Sequence, residues 1–161
     1  MADVKFTDNS IEVMNAIEQA AIKFLHEAAG ELEAQVKRNT RVDTSQTKKS
    51  WAYKIDKSNL KAYVGSPLEN AIWEEFGTGE FAVNGDGRKG YWVFVKGGDV
   101  KSKSPKTYTL EQAKRAVAIL RKKGLEAYYT KGKRGTRAFE KAKTTVKPKI
   151  NSIAKEAFKN V

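Results

Sequence analysis

From Ser10 to about Thr40, apolar residues recur at steps of three and four: Ile11, Met14, Ile17, Ala21, Phe24, Leu25, Ala28, Leu32 and Val36. That spacing lines one face of an α-helix. At about 1.5 Å per residue the helix is roughly 45 Å long, more than the width of a small domain. It therefore either lies across a sheet or reaches out to a neighbouring subunit. Asp8 or Ser10 stands where an N-cap is needed, and Glu12 and Glu18 lie toward the positive end of the helix dipole. Residues 1–9 are expected to form a flexible N-terminus.

Shorter elements follow. Val42 to Ser50 reads as a polar loop, VDTSQTKKS, and the strand-like runs WAYKI at 51–55 and KAYVG at 61–65 flank turn residues, which predicts a hairpin. Pro67 opens a helical stretch from Leu68 to Phe76, ended by Gly77, Thr78 and Gly79. A glycine-rich loop, Asn84 to Gly90, leads into the aromatic strand Tyr91 to Val95, and Gly97 and Gly98 turn the chain again. Thr109 is placed to cap a second helix, with Glu111 or Gln112 to answer it and Gly124 to stop it. Leu125 to Thr130 reads as a strand and Lys131 to Gly135, KGKRG, as a basic turn. The last helix begins near Thr136 with Phe139, Ala142, Val146, Ile150, Ile153 and Ala157 on one face, and Pro148 should kink or divide it. The fold class is α+β: a long N-terminal helix and a C-terminal helix packed on a small, mostly antiparallel sheet. A chain of 161 residues favours one domain, here residues 1–161.

Cysteine is absent, which excludes disulfides, thiolate zinc sites and cysteine nucleophiles. His26 is the only histidine, and one histidine without cysteine cannot build a usual zinc site. Glu74 and Glu75 are adjacent, so on a helix they diverge by about 100° and do not share a proton or a metal; a solvated or interface face suits them better. GDGRKG, Gly85 to Gly90, lacks the P-loop spacing and precedes a strand. No catalytic constellation, cofactor site or metal site is expected, and the chain is read as not an enzyme. No apolar run approaches the roughly 20 residues of a membrane span, and no leader pattern opens the chain. The expectation is a soluble product of a cytoplasm with no membrane partner.

The formal net charge of +12 is unevenly placed. Residues 101–149 carry 16 Lys and Arg against three acids, Glu111, Glu126 and Glu140, whereas the first hundred residues carry 13 basic and 15 acidic side chains. A basic half attracts polyanions such as DNA, meets an acidic protein surface, or keeps the chain soluble. Lys131, Lys133 and Arg134 are the candidate polyanion-binding residues. Tyr128 and Tyr129 lie close by and could stack on single strands, although strand alternation should bury one of them.

The segment NAIWEEFGTG, Asn70 to Gly79, resembles the signature of a tailed-phage family of head–tail joining, neck and tail-completion proteins, minor tail components of lambda-like siphophages. In that family a short helix with an aromatic residue and an acid ends in a Phe-Gly-Thr-Gly turn. Trp73, Glu74, Glu75, Phe76, Gly77, Thr78 and Gly79 occupy those positions here. TRAFEKA, Thr136 to Ala142, is similar to the closing motif, in which a Phe starts the final helix. Two positions depart: Thr44-Ser45 and Thr47 stand where the family has a Thr-Gly pair and a Leu, and Gly135-Thr136-Arg137 replaces an introducing proline.

The resemblance implies a structural virion protein at the head-to-tail junction, a neck, tail-completion or tail-terminator ring. Its implied partners are further copies of itself, a connector or stopper and the tail tube, with non-specific DNA contact as an addition. The alternative is a basic nucleic-acid-binding protein acting through residues 101–149. Read physically, Gly77 and Gly79 allow positive φ. Trp73 and Phe76 share a helical face and could anchor the helix to the sheet. The turn's amides are expected to be free for another subunit, the Thr78 side chain to point away, and the core to persist without the turn.

Overall fold

A computed structural model describes residues 7–42, 45–97 and 107–161. The helices are α1 Ser10–Asn39, α2 Gln46–Ser50, α3 Glu69–Phe76, α4 Leu110–Lys122, α5 Ala138–Val146 and α6 Ile150–Ala157. The strands are β1 Ala52–Asp56, β2 Lys61–Gly65, β3 Trp92–Val95 and β4 Ala127–Thr130. The class is α+β, with the strands in two separate antiparallel pairs, β1–β2 and β3–β4. Contacts gather into two compact units, one built from the described residues up to Leu68 with Ala138–Val161, the other from those between Glu69 and Arg137.

In the first unit, α1 packs against α5, α6 and the β1–β2 hairpin. The seam is made of small residues: Ala29 and Val36 of α1 are buried, as are Ala138, Ala142 and Val146 of α5. Short side chains let the helices approach closely along this seam. Trp51 is buried and stacks on Phe139 with ring centroids 6.0 Å apart. Lys149 Nζ reaches Glu31 Oε1 at 2.7 Å, and that bond, then one from Gln35, holds the Glu31 carboxyl below its ordinary value. Pro148 divides the closing helix as expected, within a 3₁₀ turn over Lys147–Lys149. The helix begins at Ala138 and not at Thr136, which is engaged elsewhere.

The long helix packs over its later part and is exposed at its start. Neither Asp8 nor Ser10 is the N-cap: that position is Asn9, whose side chain makes no capping bond, while the backbone N–H of Ser10, the first helical residue, donates to Asp8 Oδ1 at 2.9 Å. Residues 10–19 are all exposed, including Ile11 at 73% and Met14 at 69%, and the first buried position is Ala20. The expected polar loop before the hairpin contains the short helix α2. Ser45 precedes it at φ +62° with no capping bond from its side chain. Ser45 occupies the position where the resembling family has glycine, the residue that adopts this conformation without steric cost.

In the second unit, α4 lies against β3 and β4, burying Ala113, Val117 and Ala127. The capping box forms as read, with Thr109 and Gln112 as the pair and not Glu111. Tyr91 extends the ribbon through an isolated bridge to Tyr108. Tyr128 and Tyr129 are both about two-fifths exposed, at 40% and 39%, so neither is the expected core residue. A two-stranded ribbon offers too little surface to cover one whole face. Tyr128 stacks on Phe94 and Tyr129 meets Tyr91 edge-on. The Gly98 turn and the start of the basic stretch, 101–106, lie outside the described residues, as does Thr44.

Ser45→Gly should stabilise the protein by about 0.5–1 kcal/mol, because relief of left-handed strain exceeds the added chain entropy. A rise in the urea midpoint with unchanged slope is the expected reading.

Candidate functional site

The Phe-Gly-Thr-Gly turn and the KGKRG segment, read separately in the sequence, form one structure. Helix α3 ends because Gly77 takes φ +77°, its N–H donating to Trp73 O at 2.9 Å. The chain then runs antiparallel to 131–133. Thr78 and Lys133 exchange both backbone bonds, Thr78 N–H to Lys133 O at 2.8 Å and Lys133 N–H to Thr78 O at 3.2 Å. Glu80 N–H donates to Lys131 O at 2.9 Å. One step further along, Thr136 donates twice to Glu74 O, from its N–H at 2.6 Å and from Oγ1 at 2.9 Å. Carbonyls near the end of α3, which a helix leaves unpaired, are thus satisfied by the chain leaving this unit.

Side chains repeat the register. Lys133 pairs with Glu74, and Lys131 Nζ lies 3.2 Å from Glu80 Oε2. Glu80 Oε1 accepts from Gly90 N–H at 3.2 Å, which ties in the glycine-rich loop. The Lys131 bond, followed by that of Gly90, holds the Glu80 carboxyl below its ordinary value. Arg134 and Lys131 each sit 5.3 Å from the Phe81 ring centroid, within cation–π range. Glu74 Oε2 is buried with no hydrogen-bond partner among the described residues. Glu74 is therefore a clamp on the basic segment and not a solvated carboxylate.

Glycine is required where the two segments meet. A Cβ on Gly77 would stand 2.8 Å from Gly135 N, Lys133 O and Phe81 O, all backbone atoms. One on Gly79, at φ +60°, would strike Lys131 O, Trp92 Cη2 and Gly132 Cα. On the opposite side, Gly132 and Gly135 press against Thr78 O and Glu75 O.

Several expectations change. The amides of Gly77, Thr78 and Glu80 bond within the same chain and are not free for another subunit. Thr78 Oγ1 points into the clasp, accepting from Lys133 N–H at 3.1 Å, and not away from it. Trp73 and Phe76 do not anchor α3; each is 48% exposed, beside Ile72 at 60%, and the buried residue of the helix is Ala71. Lys131 and Lys133 face acids, which leaves Arg134 as the member of that trio without a carboxylate partner among the described residues. Glu80, Thr136, Gly132 and Gly135 were missed by sequence reading, although two glycine-containing segments of opposite charge are a usable signal. His26 Nδ1 lies 3.3 Å from the Tyr53 hydroxyl on the surface of the first unit. Among the described residues no group of His, Asp or Glu could hold a metal, and no helix is long and apolar enough to cross a membrane.

The site is thus an α+β scaffold with an aromatic helix set on a glycine-clasped turn. Residues 5–98 match the family described as "Bacteriophage HK97-gp10, putative tail-component". The match spans more than half of the chain, and the protein belongs to this family: it is a structural protein of a bacteriophage tail and, as such, of the virion. No curated protein and no solved structure matches the chain. The matched segment contains the turn, whereas the residues that clasp it, 131–136, follow later in the sequence.

Gly77→Ala should cost roughly 2–5 kcal/mol, left-handed strain plus overpacking against backbone. Gly85→Ala is the control: its φ of +73° is similar, but nothing lies within 4 Å of the added carbon. It should cost only about 1–2 kcal/mol. Equal losses in urea denaturation would mean that the clasp is not tightly closed.

Proposed function

We propose that this tail protein is a non-enzymatic member of the head-to-tail junction, assembling as a ring between a connector or stopper and the tail tube. The observation that carries the reading is the exposed face of α3. Ile72, Trp73 and Phe76 lie at one-, three- and four-residue spacings on a helix fixed at its end by the clasp. Aromatic residues held rigidly at a surface give much contact area for little lost side-chain entropy, and such residues dominate interface energetics. The backbone of the turn fixes the direction of this face, while its side chains are available to a partner. Family membership supports a particle location.

The combined substitution Trp73→Ala and Phe76→Ala should leave the thermal midpoint within a few degrees, since both side chains are half exposed. In infected cells it should leave full heads and free tails that do not join, seen by electron microscopy. Plaque titres equal to wild type would remove α3 from the junction.

A second reading, non-specific contact with DNA, is favoured by the placement of charge on α4. Lys114, Arg115, Lys122 and Lys123 are all exposed there, while Lys131 and Lys133 are held by acids. Neutralising the four on and beside α4 should lower the slope of log affinity against log salt by up to about 3–4, close to one per phosphate contact. Neutralising Lys131 and Lys133 should act mainly on stability. A slope unchanged by the first set rejects DNA contact through α4.

A further inference from the structure

We propose that a second copy of this chain docks the exposed start of its α1 into an apolar groove of the first unit. This inference rests on the homo-oligomeric reading above and names the contact that would build it. The donor surface is the row Ile11, Met14 and Ile17, three residues apart and exposed at 73%, 69% and 46%. Ten residues at the start of this helix are exposed throughout, a length of about 15 Å. Apolar rows of this kind are uncommon on a solvated helix end.

The acceptor is a groove of about 300 Å³ in the same unit. Its walls are Ala28 and Leu32 of α1, Ala62 and Val64 of β2, and Val146 and Ile150 at the α5–α6 junction. Lys143 and Lys147 stand at its edge. Alanines on two of the walls, Ala28 and Ala62, leave room for larger side chains such as Met and Ile, as where an amphipathic helix lies in a groove.

Two arguments identify the occupant as another copy. A chain cannot fill its own groove, because Met14 and Ala28 lie on one continuous helix, about 21 Å apart along its axis. Charge also matches between the two surfaces. The segment from Thr7 to Ile22 contains Asp8, Glu12 and Glu18 and no basic residue, while the charged residues lining the groove are lysines. Lys143 has an exposed partner, Glu140 at 3.3 Å, and an exposed pair of this kind is readily exchanged. The two surfaces differ, so the contact is heterologous: each copy offers one and accepts the other, which repeats into a closed ring or an open chain.

The native chain has no cysteine, so introduced thiols report unambiguously. Met14→Cys protein is mixed with Lys147→Cys protein at assembling concentration under mild oxidation. The mixed disulfide should predominate over both self-disulfides. The polar variant Met14→Gln with Ile17→Gln should weaken self-association at least about tenfold, as expected for two apolar side chains removed from a contact. Its circular dichroism should be unchanged, because both positions are exposed. A predominant Met14→Cys self-disulfide, or undiminished assembly of the polar variant, overturns the proposal. Rings seen by electron microscopy without the mixed disulfide overturn the docking and leave the ring reading standing. The mixed disulfide in dimers or open chains alone does the reverse. A wild-type chain that stays monomeric at every concentration overturns both.

Discussion

The backbone ladder between 78–80 and 131–133, with Thr136 on Glu74, is the constraint on which the second unit depends. It joins the chain where it enters that unit to the chain where it leaves. The α4 helix, the β3–β4 ribbon and the glycine-rich loop all lie within the segment it closes. Closing a segment of this length early removes much of the loop entropy that other contacts would otherwise have to offset. Glycines on both sides make the close approach possible. The Lys131–Glu80 pair, partly open to solvent, adds direction to it more than energy, since exposed pairs contribute little each.

In the first unit the corresponding constraint is the alanine-rich seam between α1 and α5. Close approach of helices depends on Ala29, Ala138 and Ala142 remaining small, and Trp51 on Phe139 fills the remaining width. The first buried residue of α1 is Ala20, so the helix has an exposed beginning of ten residues. One element therefore contributes to the core over part of its length and to the surface over the rest.

On the proposed reading, function resides in the exposed faces that the scaffold holds in place. The Phe-Gly-Thr-Gly turn is internal scaffolding: the amides of Thr78 and Glu80 and the Thr78 hydroxyl bond to the chain's own basic segment. What it presents outward is the helix before it, with Trp73 and Phe76 half exposed. The turn thus fixes the backbone, and the side chains of the helix before it are the ones left exposed.

The sequence by itself determined the elements and most of their ends. Thirty residues of regular spacing specified α1, Thr109 with Gln112 specified the start of α4, and Pro148 divided the closing helix, because each rests on local geometry or on one backbone bond. The positive φ at Gly77 and Gly79 was legible for the same reason. Tertiary structure alone decided which faces are covered. Trp73, Phe76 and Tyr128 would suit a core as well as a surface, and burial went to Ala71 and Ala127, whose small side chains allow closer contact. It also decided that Lys131 and Lys133 meet Glu80 and Glu74. Those pairs join residues more than 50 positions apart, and periodicity, which reports only on near neighbours along the chain, carries no information about them.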